Sequence, residues 1–303
     1  MWFKRAKIFK LTADDGYDLD DLATKLAALE FRPCLPSVPI TYGWVPPLPQ
    51  EDATAEKIFA YDAADNCMLF CMQIEKKVLP GAVVRQELLE KIKYITDTQK
   101  RKVPAKERVE LKEILIKTLL PKAFSKLSWV HAYIDIEKEL LIVNATSQST
   151  LEIFRKLFVK SVYNITLHLL EIKNISGILT KWLVEDKVPK HFTIESSCAL
   201  VDPQQSSRTV RCKEQNLFAD SMQPLLHDGY KVTQLSLTWK DNINFTLTEK
   251  LILQSIKYGE QLLEIAKSEQ GETENQRFDA NFMIMSNSLS ELAVALIKLF
   301  AEK

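Results

Sequence analysis

The 303-residue sequence contains only seven glycines, and none of them lies in a phosphate-binding loop. Neither GxGxxG nor GxxxxGK[ST] occurs, the patterns in which glycine lets backbone N–H groups approach a phosphate. The sequence therefore gives no support for nucleotide hydrolysis, and we expect no cofactor.

Cysteine is also scarce, and its distribution argues against a disulfide framework. The five cysteines are Cys34, Cys67, Cys71, Cys198 and Cys212. An odd number of scattered cysteines is typical of reduced thiols. Cys67 and Cys71 are close in sequence, but they belong to an apolar run and have no histidine at ligand spacing. We interpret them as small buried side chains and expect no metal site.

No recognisable catalytic motif is present. The four histidines are His131, His168, His191 and His227. They fall in different predicted elements, and neither an HExxH nor a GxSxG pattern occurs. The acidic pairs Asp14-Asp15 and Asp20-Asp21 lie at the start of a predicted helix, where the macrodipole favours carboxylates. We therefore expect that the protein is not an enzyme.

Long hydrophobic runs are absent too. No segment approaches the ~18 to 20 apolar residues that cross a bilayer. The start, Met1 to Arg5, carries charges where a signal peptide would have its apolar stretch. We expect a cytoplasmic protein without a membrane partner. Its length and its 46% hydrophobic content allow a substantial core and two or three structural units.

What the sequence does contain is segregated positive charge. The 40 basic residues balance the 40 acidic residues overall, yet the segment from Lys76 to Lys126 has 14 Lys or Arg against six Asp or Glu, a local net charge of +8. Screening confines such fields to roughly 8 to 10 Å, so the overall neutrality does not describe this surface. The excess positive charge of this segment favours an anionic partner, and nucleic acid is the leading candidate. The alternative is that the segment is only a solvated face.

Positive charge recurs elsewhere. Lys4, Arg5, Lys7 and Lys10 meet no acid in the first ten residues, and a smaller group surrounds Arg211, whereas the stretch from residue 260 onward is net acidic. Zinc-finger, helix-turn-helix and RNP-type motifs are missing. Contacts are therefore expected with phosphates rather than with base edges.

Periodicity predicts a mixture of strands and helices in the first half of the chain. Alternation predicts strands over 2–11 and 68–78, and a leucine stripe predicts a helix from its cap at Asp18 to about residue 30. A Pro-rich loop containing Gly43 to Pro47 lies between the helix and the second strand.

A helical hairpin is predicted in the basic segment. Pro80 occupies a plausible first helical position, and the apolar residues Val84, Leu88, Ile92 and Ile95 recur on one face of a helix that reaches about residue 102. Pro104 separates it from a second helix that ends near Leu120.

The remaining pattern predicts further short elements. A β-hairpin is expected over 127–135 and 140–144, and another over 231–239 and 243–247 that turns at Asp241-Asn242. Helices are expected over 149–160, 175–185, 217–227 and 288–300, and strands over 164–169, 191–200 and 209–213. An acidic linker is expected over 269–274.

These elements do not follow a βαβ rhythm, so we predict an α+β fold of mixed antiparallel sheets with a protruding helical hairpin. We predict a central α+β domain of residues 1–75 and 127–165. The basic hairpin of 76–126 would form the tip, and a C-terminal α+β domain of 166–303 would form the base.

Five blocks of sequence, in register from end to end, resemble the RdgC family of bacterial recombination-associated proteins. The blocks are Met1-Trp2-Phe3-Lys4, Gly43-Trp44-Val45-Pro46-Pro47, Lys76-Lys77-Val78-Leu79-Pro80, Leu119-Leu120-Pro121-Lys122-Ala123-Phe124-Ser125 and Arg277-Phe278-Asp279-Ala280-Asn281-Phe282. The resemblance implies a homodimer closed into a ring, with a basic inner surface that encloses duplex DNA without sequence preference. It also implies nucleoid association and restraint of RecA-promoted strand exchange.

The resemblance assigns candidate site residues. Phe124 matches a position where the family places an aromatic side chain at a subunit contact, and a second interface is expected in the C-terminal part. Lys213, Gln215 and Lys231 match basic and polar DNA-contacting positions of the family. We add Lys4 and Arg211 on charge grounds alone. Glu214 departs from the family, which can have a second lysine there, and would weaken the attraction for phosphate.

Two other functions remain open. The protein could be an interaction module that inhibits RecA or another repair protein by direct contact, with DNA contact incidental. A nuclease or other phosphotransfer enzyme would need a metal-binding carboxylate cluster, which the sequence does not reveal.

Overall fold

A computed structural model describes residues 1–13, 19–48, 57–64, 67–163, 165–168, 170, 172, 174–219, 222–269, 271 and 273–300. The strands are β1 Ala6–Ala13, β2 Ile40–Val45, β3 Ala60–Ala64, β4 Cys67–Val78, β5 Phe124–Asp135, β6 Leu140–Val143, β7 Ile165–His168, β8 Phe192–Val201, β9 Thr209–Cys212, β10 Lys231–Trp239, β11 Ile243–Thr248 and β12 Ile252–Tyr258. The helices are α1 Leu19–Ala27, α2 Gly81–Gln99, α3 Ala105–Leu119, α4 Gln148–Ser161, α5 Ile175–Glu185, α6 Gln223–His227, α7 Glu260–Ser268 and α8 Glu274–Phe300, with a short 3-10 turn at Leu120–Lys122.

One sheet joins all these strands. Its order is β2-β4-β5-β6-β1-β12-β11-β10-β8-β9, while β3 pairs with β4 and β7 pairs with β1. The strand pairings are antiparallel, so the predicted α+β class with antiparallel strands is confirmed. The prediction of several sheets is wrong for the described residues, because β1 pairs with β12 and thereby continues the sheet from the N-terminal strands into the C-terminal strands.

Both faces of the N-terminal half of the sheet are covered. Neighbouring residues of one strand enter different cores, as Ile8 and Phe9 of β1 do. This follows from the alternation of side chains along a strand. On the first face, α8 and α5 complete the core. On the second face, α1 and α4 complete a separate core.

Helix α8 is the main buried helix of the first core. The Tyr133 hydroxyl of β5 donates a hydrogen bond to the Ser286 carbonyl at 3.1 Å, and its ring meets Phe282 edge-on at 5.6 Å. Small residues such as Ser286 and Ser290 are buried along the same helix. By length and composition alone α8 could cross a bilayer, but half of its most apolar window is buried inside the molecule, as in the core helix of a soluble protein.

The second face of the sheet loses its helical cover beyond β12. Its outward side chains there are polar: Gln234 and Ser236 on β10, Thr246 on β11 and Gln254 on β12. Their strand neighbours, including Leu235 and Leu247, point into the first core. A polar sheet face needs no second layer of helices, so it remains open to solvent. We call it the open face.

The predicted helical hairpin is confirmed as α2 and α3. Val84 and Ile95 of the predicted stripe are buried, whereas α3 has no buried residue. Pro80 is the residue before the helix and not its first residue. Lys100 ends α2 in the left-handed conformation with φ 50°, and Arg101 pairs with Glu107 at 2.6 Å across the turn.

The predicted Pro-rich loop contains a strand, β2. Gly43 permits it, because a Cβ on this residue would lie 2.4 Å from the Phe31 Cα. The chain at Phe31 pairs with β2 instead, its N–H donating to the Trp44 carbonyl at 2.8 Å. The loop prediction is wrong here since tertiary pairing outweighs the neighbouring prolines. The predicted helix cap Asp18 lies outside the described residues.

Several C-terminal boundaries also differ from prediction. The turn between β10 and β11 centres on Lys240 and Asp241, both at positive φ, one residue earlier than predicted. Strand β12 was not predicted, and α6 is a single short helix of five residues. Helix α8 begins at Glu274 and not near residue 288, because small and polar residues in its first turns concealed the helical pattern. The predicted division into domains stays a prediction.

Candidate nucleic-acid interface

Arg211 and Lys213 lie at the edge of the open face. Arg211 is an exposed residue of β9, and its register partner Ala199 pairs in turn with Gln234. Both cations line a concavity of 570 Å³ together with Lys257 of β12. Glu195 and Glu214 line it as well, so the concavity is only weakly positive. Glu214 adopts a left-handed φ of 53° directly after Lys213.

Lys231 and Gln215 lie beside this concavity. Lys231 begins β10, is exposed and pairs with Val201, which pairs with Thr209 of β9. Lys231 is therefore two strand spacings, each of about 4.8 Å, from β9. It lies on the same face of the sheet as Arg211. Gln215 is exposed after β9, where its backbone N–H donates to the Ser196 carbonyl at 3.0 Å. The structure thus gathers four of the five predicted DNA-contacting residues at one end of the sheet.

Lys4 lies apart from that group. It lines a second concavity, of 460 Å³, together with Arg5 and Lys126. These three cations have no ion-pair partner among the residues that the structure describes. Among the described residues no acidic side chain lines this concavity, so its positive charge is less compensated there than beside Arg211.

The start of helix α4 contributes to the same concavity. Ser147, the residue before α4, lines it and makes no side-chain capping hydrogen bond to the helix. The first turn of α4 contains no acidic residue. The unpaired N–H groups at a helix start carry partial positive charge and attract anions. The start of helix α4 and the cationic side chains of this concavity therefore both favour a negatively charged ligand.

Each concavity has a lining residue beside the pairing of β1 with β12. Ala6 pairs with Leu253. Arg5 comes directly before Ala6, and Gln254 comes directly after Leu253. Lys7 lies at this pairing and donates to the Lys250 carbonyl at 2.7 Å. Burial, with a smaller contribution from the Lys250 charge, lowers the pKa of Lys7. Burial, more than charge repulsion, thus disfavours the protonated form of Lys7.

Phe124 lies at the root of the helical hairpin and not at its turn. It begins β5, pairs with Val78 of β4 and is 86% exposed. This exposure excludes the alternative of an ordinary core phenylalanine within a single chain. Burying so large an apolar ring is favourable, by about 25 cal/mol per Å² of buried apolar surface.

The histidines and cysteines are not assembled into a catalytic or metal site in the described parts of the chain. The described residues contain no group of three or more His, Cys, Asp or Glu that could hold a metal ion. His131 is mostly buried, burial lowers its pKa, and its Nε2 lies 3.3 Å from the Pro47 carbonyl. His168 lies 2.8 Å from the Thr12 hydroxyl. Cys67 and Cys71 are buried, as predicted.

Sequence reasoning missed three cations of this surface as site residues. Arg5 and Lys126 were recognised only as members of charged segments, and Lys257 belongs to the unpredicted β12. Strand β12 has no regular alternation of buried and exposed residues, because Ser255 interrupts it at φ 51°, so the local pattern gave little signal for it. Their convergence depends on strand pairing, which local pattern does not reveal.

These features define a class of protein: an α+β protein with one continuous antiparallel sheet, a polar, cation-edged open face and an exposed helical hairpin. A family model described as "Putative exonuclease, RdgC" matches residues 1–303. The chain belongs to the RdgC family, and the resemblance found in the sequence is confirmed.

Relatives match over nearly the whole chain. The recombination-associated protein RdgC of Pseudomonas syringae pv. tomato is 34% identical over 300 residues, covering 98% of this chain and 96% of the relative. The protein of the same name from Aeromonas hydrophila is 33% identical over 297 residues, covering 98% and 96%. That from Psychromonas ingrahamii is 31% identical over 301 residues, covering 99% and 98%. These names support a role associated with recombination.

Proposed function

We propose that the protein binds double-stranded DNA without sequence specificity, encircles it as a dimeric ring and so restrains RecA-dependent recombination. The observation that carries the proposal is that one sheet carries two cation-lined concavities, one lined by Lys4, Arg5 and Lys126 and the other by Arg211 and Lys213. A surface of this kind neutralises phosphates and offers no recognition helix or base-reading motif.

The shape of the surface supports duplex DNA as the ligand. The open face is a broad sheet surface of polar side chains, and cations lie at its edges rather than in one deep pocket. Such a surface suits an extended polyanion better than a small molecule, which is usually held in an enclosed apolar cleft. We place the protein in the cytoplasm, associated with the nucleoid.

Two exposed features support a homodimer. Phe124 projects from the root of the hairpin, and apolar side chains of the hairpin, including Leu89, Tyr94 and Ile114, are more than half exposed in the single chain. A second copy would cover them, because exposed contiguous apolar surface is typical of subunit contacts. Closure of two protomers needs a second contact, which we place in the C-terminal part.

The names of the relatives connect this geometry to recombination. A ring on duplex DNA occupies the substrate that RecA needs for strand exchange. In this mechanism DNA occupancy causes the inhibition, and direct contact with RecA is not required. Direct inhibition through protein contact is the alternative, and excess duplex DNA distinguishes the two: it abolishes inhibition only if occupancy is the cause.

The family description also names an exonuclease. Hydrolysis of a phosphodiester commonly uses metal ions held by carboxylates. The described residues contain no such cluster of three or more ligands, so we do not propose nuclease activity. Incubation of labelled linear duplex with the protein and Mg²⁺ tests this directly, and release of nucleotides would require an active site elsewhere.

Binding to circular and linear duplexes of equal length tests the proposal. The expected result is a complex that survives dilution on the circle and is lost from the linear DNA, because a closed ring can leave only over a free end. Affinity should fall with salt by about 0.9 logarithmic units per phosphate contact for each tenfold rise, equally for unrelated sequences. Equal lifetimes on both forms would contradict the ring, and a flat salt response would contradict phosphate binding.

A further inference from the structure

Two cysteines lie directly opposite each other on neighbouring strands behind the open face. Cys198 of β8 is the register partner of Cys212 of β9, at the end of the pairing between the two strands. Cys198 is buried, and Cys212 is partly exposed. We propose that this pair is a peroxide-sensitive dithiol whose oxidation forms a disulfide between β8 and β9.

The register gives the geometry that a disulfide needs. Opposite residues of an antiparallel pair have Cα atoms about 4.5 or 5.5 Å apart, depending on the hydrogen-bonding pattern. Both separations fall within the range of roughly 4.4 to 6.8 Å that a disulfide spans. Both side chains are on the same face of the sheet, since Cys198 belongs to the first core and Cys212 packs against it.

The two cysteines that are close in sequence, Cys67 and Cys71, cannot form a disulfide with each other. Cys67 and Cys71 lie on the same strand, β4, four residues apart. At about 3.3 Å per residue their Cα atoms are separated by about 13 Å, beyond the reach of a disulfide. The strand pairing, and not closeness in sequence, selects Cys198 and Cys212.

The surroundings give the two thiols different roles. Cys212 is the more accessible, and its thiol donates a hydrogen bond to the Met222 sulfur at 3.5 Å. Burial and the neighbouring Cys212 raise the pKa of Cys198 to about 12, so Cys198 is a protonated, buried thiol at neutral pH. Cys212 therefore reacts first with an oxidant from solvent, and Cys198 resolves the product.

The chemistry balances with one equivalent of hydrogen peroxide. The Cys212 thiolate attacks one peroxide oxygen, the O–O bond breaks, and Cys212 sulfenic acid and hydroxide form. Cys198 sulfur then attacks the Cys212 sulfur, the S–O bond breaks, and the thiol proton leaves with the hydroxyl group as water. Both sulfur atoms are oxidised, the peroxide is reduced, and cellular thiols can reverse the step by exchange.

The disulfide would fasten the edge strand that presents the cations. Arg211 and Lys213 flank Cys212 in sequence but point to the opposite face, because side chains alternate along a strand. Cys198 and Cys212 nevertheless also line the concavity that holds Arg211 and Lys213, so an oxidant can reach Cys212 from that side. Cytoplasmic disulfides are usually transient and redox-sensing, which suits a bond that forms under peroxide and is then reduced. The proposal does not depend on DNA binding.

Mass spectrometry after treatment with one equivalent of hydrogen peroxide tests the proposal. We expect a monomer chain lighter by two hydrogen atoms, a Cys198–Cys212 peptide cross-link, and the loss of two titratable thiols from the five present. Dithiothreitol should restore both thiols. Amide hydrogen exchange of β9 should slow in the oxidised form, since the strand can no longer open away from β8.

Single substitutions assign the roles. In Cys198→Ser, dimedone should trap a sulfenic acid on Cys212, whereas Cys212→Ser should give neither sulfenic acid at Cys198 nor a cross-link. Cys34→Ser is the matched control, because Cys34 is also partly exposed and lies far from the pair in the sheet, and it should still form the disulfide. Oxygen addition without a cross-link, or a cross-link that uses Cys34, would overturn the proposal.

Discussion

At the scale of single residues, the interface is made of side chains that contribute little to the core. Arg211, Lys213 and Lys231 are exposed, and their strand neighbours Cys212 and Val232 supply the contacts with the core. Because side chains alternate along a strand, the exposed cations and the core residues lie on different faces. The exposed cations can therefore be changed without unfolding the chain. Charge reversal at these positions is therefore a clean test of DNA contact.

Arg211→Glu should weaken duplex binding equally for unrelated sequences and lower the log-log salt slope by about 0.9, because one phosphate contact is lost. Fluorescence anisotropy across a salt series measures both quantities. Lys181→Glu on α5 is the matched control, an equally exposed cation that pairs with Glu185 on the opposite, covered side of the sheet. A similar loss in the control would assign the effect to overall charge.

If Phe124 lies at a subunit contact, as proposed, Phe124→Ala should shift the proposed dimer toward monomer while leaving each chain folded. The ring is 86% exposed, so its removal creates no cavity in the single chain. Light scattering gives the mass, and thermal unfolding monitors the fold. Tyr163→Ala, which removes another aromatic side chain that is 82% exposed, should leave the mass unchanged. An unchanged dimer in Phe124→Ala would remove this residue from the interface.

At the scale of elements, the helical hairpin is the part of the molecule with the least burial of its own. Val84 and Ile95 of the predicted stripe are buried, but Val109 and Ile114 of α3 are more than half exposed. Helices of this length are marginal in isolation and are usually stabilised by tertiary packing. We infer that a partner supplies packing that the single chain lacks.

The double substitution Val109→Ser and Ile114→Ser should lower the dimer affinity without lowering the unfolding free energy of the monomer by more than about 1 kcal/mol. Sedimentation at several protein concentrations measures the first quantity and urea unfolding the second. Leu120→Ala, at a buried position just after α3, should instead destabilise the chain by roughly 2 to 5 kcal/mol. Strong destabilisation by the serine pair would place these residues in a core.

At the scale of the whole molecule, the continuous sheet connects two segments that the sequence predicted as separate domains. Strand β1 pairs with β6 on one side and with β12 on the other, and α8 contacts residues from both halves, such as Tyr133 and Trp182. Elements that share one sheet and one helix should unfold together.

Urea unfolding of variants that each retain one tryptophan tests this expectation. Trp44 reports on the second core and Trp239 on the first, and both are buried. We expect the same midpoint for both probes after correction for the substitutions, because the two cores share the strands of the sheet. Two separate midpoints would contradict a single cooperative unit and support the predicted division near residue 165.

Much of the local structure could be predicted because the hydrophobic period is a local property. The helices α2, α3, α4 and α5 and both long hairpins lie close to their predicted positions. Failures occurred where distant residues decide the outcome. β2 forms because it pairs with β4, while Gly43 permits the close approach of the chain at Phe31, and β12 forms because β1 and β11 pair with it.

The candidate interface shows the same division. Charge segregation identified basic segments of the sequence, but only the tertiary structure brings Lys126 into one concavity with Lys4, and Lys257 into another with Arg211. Likewise, nothing in the sequence distinguishes Cys198 and Cys212 from the other cysteines until the register sets them opposite each other.

By itself, the sequence determined the α+β class, the helical hairpin, the family and the residue types available for phosphate contact, because composition and period act within a few residues. The tertiary structure decided which sheet face is covered and which is open, and which cations and thiols become neighbours. That decision depends on pairings between residues as far apart as Ala6 and Leu253. Local physical chemistry restricts such pairings, but only the packing of the whole chain selects among them.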